Sequence, residues 1–61
     1  MAVDKNMNTL IVDDYKTMLR ILRNLLRQLG FSNIEDATDG GMALQKLRGA
    51  SFGLVISDWS R

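Results

Sequence analysis

Two short apolar runs, Thr9-Leu10-Ile11-Val12 and Leu54-Val55-Ile56, constrain this chain more than any other feature. Neither alternates apolar with polar residues, as a strand with one wet face does. Both are rich in β-branched residues and suit strands buried on two faces. Each run stops at acids, Asp13-Asp14 after the first and Asp58, following Ser57, after the second. Strands buried on both faces need layers above and below them, and the sequence between these two supplies helices.

The stretch Tyr15 to Leu29 is the most periodic in the chain. At about 100° per residue, Met18, Leu19, Leu22, Leu25, Leu26 and Leu29 fall on one arc, and Lys16, Arg20, Arg23 and Arg27 gather opposite. Asp14 is placed as the N-cap, Arg27 suits the C-terminal end of the dipole, and Gly30 suits the C′ position. The sequence predicts strands over about 8–13, 34–38 and 52–57, and helices over about 15–29 and 40–48. Asp39 caps the second helix, whose apolar face is Ala43, Leu44 and Leu47. The middle strand, Ile34 to Thr38, carries Glu35 and Asp36 and suits an edge position. The order β-α-β-α-β implies a parallel sheet with right-handed crossovers, an α/β open sheet. It resembles half of a doubly wound, flavodoxin-like parallel sheet, in which the strand order is 2-1-3. With 61 residues, one domain is the ceiling, and a chain of this size buries only about 60 % of its unfolded surface. The last strand is as apolar as the first, with nothing after it to cover it, so the chain reads as cut short.

Composition narrows the chemistry. There is no cysteine and no histidine, which removes disulfides, thiolate nucleophiles, Ser-His-Asp triads and His/Cys zinc sites. A formal net charge of +1 gives no general attraction to nucleic acid or to an anionic membrane. No apolar run approaches a membrane span, and the N-terminus lacks a signal-peptide core, so a cytoplasmic protein is expected. Carboxylates remain. In open parallel sheets ligands sit beyond the carboxyl ends of strands where the order reverses, and order 2-1-3 brings Asp13, Asp14 and Asp58 to that point. Three carboxylates so close repel unless a cation joins them, and Mg²⁺ is the simplest. A carboxylate also serves as a nucleophile toward phosphorus. The plainer reading of Asp13-Asp14, a helix cap and a solvated turn, loses ground because a second apolar strand ends the same way.

The residues Val12-Asp13-Asp14, Thr17-Met18, Arg23-Asn24-Leu25-Leu26, Leu29-Gly30-Phe31, Asp39-Gly40, Ala43-Leu44 and Val55-Ile56-Ser57-Asp58-Trp59 resemble a receiver domain. More narrowly, they are similar to CheY-like chemotaxis response regulators, from about Leu10 to Trp59. The resemblance implies that Asp58 accepts a phosphoryl group from a histidine kinase of the CheA type. It implies that Asp13 and Asp14 bind Mg²⁺, with Asp58 and the backbone carbonyl of Ser60 completing the metal's shell. Ser60 and Arg61 depart from the residues usual there, Asn and an apolar residue. A complete receiver has two further strands and three further helices, which carry the hydroxyl residue and lysine that sense the phosphoryl group and the surface for the flagellar switch. Neither Lys16 nor Lys46 matches that lysine. Little signalling and no switch binding are therefore expected of these 61 residues.

Other features have plain readings. The basic stripe on the first helix is a solvated face, with kinase contact as the functional alternative. Gly40-Gly41 is a turn and not a phosphate loop. The exposed third strand motivates a second class of function, a structural or engineered half-domain that only self-associates, as a homodimer pairing strand three with strand three.

Overall fold

The computed structural model describes residues 5–57. The elements are β1 (Thr9–Val12), α1 (Lys16–Gln28), β2 (Ile34–Ala37), α2 (Gly40–Gly49) and β3 (Leu54–Ser57). All strands are parallel, in the order β2-β1-β3, as the sequence predicts. The strands are shorter than expected by one or two residues at their ends.

Side-chain alternation sorts the strands into two faces. Thr9 pairs with Ile34 and Leu54, and Val12 with Ala37 and Ser57. On one face Ile11 and Ile34 pack with Leu19 and Leu26 of α1, and half-buried Leu22, Phe31 and Ile56 join them. On the other, Leu10, Val12 and Ala37 pack with Ala43 of α2, with Phe52 against them. Every residue of β1 is buried, which is what its lack of alternation requires. The expected two-sided burial holds for β1 but not for β3, where Leu54 and Ile56 are half-buried and Val55 and Ser57 exposed. Both helices lie over β1 and β2, and neither lies over β3.

The end of α1 follows its sequence. Gly30 has φ +101°, a region in which a Cβ is strained. Its N–H donates to the Arg27 carbonyl at 2.9 Å, and the Phe31 N–H donates to that of Leu26 at 2.9 Å. These two bonds form a Schellman motif, and Phe31 packs on the cluster containing Leu26, the apolar contact that accompanies such an ending. At the start, Tyr15 and not Asp14 occupies the N-cap, with no side-chain cap bond. The Asp13 carboxylate accepts the Tyr15 N–H at 2.9 Å instead, so the chain turns one residue before the helix begins. For α2 the expected cap is present: Asp39 Oδ1 accepts the Met42 N–H at 2.8 Å.

The arc on α1 is wider than its contact. Leu19 and Leu26 are buried, whereas Leu25 and Leu29 remain 51 % and 59 % exposed. On α2 only Ala43 is buried, and Leu44 and Leu47 are exposed. Among the described residues, no helix is long and apolar enough to cross a membrane.

Candidate functional site

The acids gather at the carboxyl end of the sheet. Asp13 follows β1 directly and is only 5 % exposed. Its backbone N–H donates to the Ala37 carbonyl at 3.1 Å, extending the strand pairing by one bond. One of its carboxylate oxygens holds the Tyr15 N–H. A carboxylate is rarely this buried unless it is hydrogen-bonded or coordinated, because removing a charge from water costs several kcal/mol or more. Asp14, next in the chain, is exposed. Asp39 sits at the same edge after β2 but is committed to capping α2.

Asp58, Trp59, Ser60 and Arg61 lie outside the described residues, so the expected roles of Asp58 and Ser60 have no geometry here. The sheet nonetheless fixes what precedes them. Val12, immediately before Asp13, is the register partner of Ser57, immediately before Asp58. Among the described residues there is no group of three or more metal-ligating side chains. Asp13 and Asp14 supply oxygen donors only, the set that suits a hard cation such as Mg²⁺ and excludes a thiophilic one.

Beside the acids, a groove of about 370 Å³ runs between α1 and β2, lined by Lys16, Leu19, Arg20, Arg23, Asp36 and Thr38. The sequence places Arg23 on a solvated basic stripe, and the structure corrects this. Arg23 is half-buried, with one guanidinium nitrogen donating to the Ile34 carbonyl at 3.1 Å and the other to Asp36. It bridges helix to strand. Helical periodicity misses this because Arg23 sits at the border between the arcs, and only the position of β2 decides which way it turns. On the opposite face Lys46 donates to Glu35 at 2.9 Å. Both acids of the edge strand are thus paired with cations from the helices.

A three-stranded parallel sheet in order 2-1-3, with a buried aspartate ending its central strand, defines a receiver-type α/β unit. The chain belongs to the response regulator receiver domain family, whose model matches residues 9–60. It is 52 % identical over 58 residues to the chemotaxis protein CheY-3 of Vibrio cholerae serotype O1, a match covering 95 % of this chain and 45 % of that protein. It is 50 % identical over 54 residues to the chemotaxis protein CheY of Pseudomonas aeruginosa, covering 88 % of this chain and 44 % of that one. The chain therefore spans less than half the length of these curated relatives.

Proposed function

We propose that this chain carries the acidic phosphoacceptor site of a cytoplasmic chemotaxis receiver. In this reading Asp13 and Asp14 hold Mg²⁺, with the Asp58 carboxylate and the Ser60 carbonyl completing its protein ligands. When bound there, the ion would supply positive charge against the crowded carboxylates and the oxygens of an incoming phosphoryl group. An Asp58 oxygen attacks the phosphorus of a phosphohistidine on a CheA-type kinase. The N–P bond breaks, its electron pair stays on the imidazole, and an acyl phosphate forms. The supporting observation is the buried Asp13 at the end of β1, with Val12 paired to the residue before Asp58. Output to a flagellar switch is not expected of the 61 residues alone.

The test is a Mg²⁺ titration followed by the fluorescence of Trp59, the single tryptophan. A saturable response is expected that Asp13→Ala and Asp58→Ala each abolish. No response in the unsubstituted chain, or an equal one in both variants, removes the metal from the reading.

A further inference from the structure

Helix α1 carries Lys16, Arg20, Arg23 and Arg27 and no acidic residue. Lys16 with Arg20, and Arg23 with Arg27, stand four residues apart, the spacing at which like charges on a helix repel. Asp36 of β2 answers Arg23. Lys16 and Arg20 have no ion pair or hydrogen bond among the described residues. The helix therefore keeps two uncompensated cations one turn apart, and both line the groove of about 370 Å³ between α1 and β2.

The rest of the lining distinguishes this groove from a bare charged surface. Leu19, 5 % exposed, supplies an apolar floor that is part of the core under α1. Arg23 and Asp36 are fixed on each other, and Arg23 also on the Ile34 carbonyl. The Thr38 hydroxyl donates to the Met42 sulfur at 3.2 Å, a weak acceptor that an anionic oxygen can replace. Arg27, on the same helix stripe, is not part of the lining, which sets three cations against one carboxylate.

A phosphate monoester matches these parts. Its dianion sets two negative charges against Lys16 and Arg20, and the arginine fork can take two phosphate oxygens at once. The groove is larger than a bare phosphate needs and falls in the size range of small-molecule sites, so an organic group has room over Leu19. It is separate from the acidic pocket. The groove lies over β2, and β1 stands between it and β3, whose last residue, Ser57, precedes Asp58.

We propose that the α1–β2 groove is a binding site for a small organic phosphate monoester, held as the dianion by Lys16 and Arg20 with its organic part against Leu19. Arg23, tied to Asp36 and to the Ile34 carbonyl, fixes the helix against β2 and so keeps the groove in shape.

The experiment titrates phenyl phosphate into the isotope-labelled 61-residue chain, at constant ionic strength and about pH 8, where the phosphate is a dianion. Mg²⁺ is left out, so this site and the acidic one can each fail alone. Amide resonances of Lys16, Leu19, Arg20 and Thr38 are expected to shift saturably. Half-saturation is expected at about 1–10 mM, ordinary for a ligand of about eleven non-hydrogen atoms. Arg20→Gln and Lys16→Gln should each weaken binding roughly fivefold or more, the loss of one charge-assisted contact. Arg48→Gln, at an exposed cation of α2, should change it less than about twofold. Inorganic phosphate and benzyl alcohol should each bind at least about fivefold more weakly, since each offers half of the recognised group. The amide spectrum reports whether each variant is folded, and if one of Arg20→Gln and Lys16→Gln is not, the other decides. Unchanged binding by a folded groove variant overturns the proposal, as does equal binding of inorganic phosphate. Shifts that fail to saturate, or that spread equally to Lys5 and Arg48, also overturn it.

Discussion

Thr9 opens β1 with its side chain on the α1 face and is 0 % exposed, and its hydroxyl has no hydrogen-bond partner among the described residues. Burying a hydroxyl without a partner costs about 1–3 kcal/mol in proteins. Valine replaces that hydroxyl by a methyl group of similar size and keeps the branched Cβ that suits a strand. Thr9→Val is therefore expected to stabilise the chain by about 1 kcal/mol, the lower part of the range, since the cavity is shaped for an oxygen. For a chain of this length that raises the melting temperature by roughly 4–8 °C. Thr9→Ser is the informative partner, because it keeps the orphan hydroxyl and loses the methyl. It should destabilise by about 1 kcal/mol, the worth of one buried methyl group. Urea unfolding followed by circular dichroism, at one fixed protein concentration, reads both changes as shifts in midpoint at constant slope. If Thr9→Val unfolds at or below the midpoint of the unsubstituted chain, the hydroxyl is not a buried liability and the reasoning fails.

Two further substitutions probe the frame. Asp39→Ala removes the carboxylate that holds the Met42 N–H, and should lower stability by about 1 kcal/mol in the same unfolding assay, with Asp39→Asn losing much less. Arg23→Ala breaks both the bond to the Ile34 carbonyl and the pair with Asp36. Because both side chains remain about a third exposed, the loss should be about 1–2 kcal/mol, and it should shrink by less than half in about 1 M salt because the carbonyl bond is not screened as the ion pair is.

Much of this arrangement is legible in the residues. The unalternating Thr9–Val12 run gives the central strand, Gly30 before Phe31 gives the end of α1, and Asp39 gives the start of α2. What periodicity lacks is the position of the neighbouring layer. An arc of six apolar residues on α1 says that a face is buried, but not that Leu25 and Leu29 overhang it. The same gap puts Arg23 among solvated cations when it serves β2, and makes β3 look as enclosed as β1. The cap on α1 fails for a local reason. Either acid of the pair can serve the turn, and the buried Asp13 bonds the Tyr15 N–H, which leaves Asp14 out of the N-cap position. At the site, the register of β1 with β3 is what spacing alone leaves open, and it relates Asp13 to Asp58 only through their neighbours Val12 and Ser57.

The contrast between the guarded β2 edge and the open β3 edge also sets a valence. A sheet with two sticky edges can be extended at both ends, which is the geometry of a fibre. Here Glu35 and Asp36, each paired with its cation, make one margin unattractive to an incoming strand. Strand addition would then have a single open margin, that of β3 among the described residues. The guarded margin therefore disfavours an open-ended polymer, and substitutions that neutralise β2 are expected to lower solubility more than those that blunt β3.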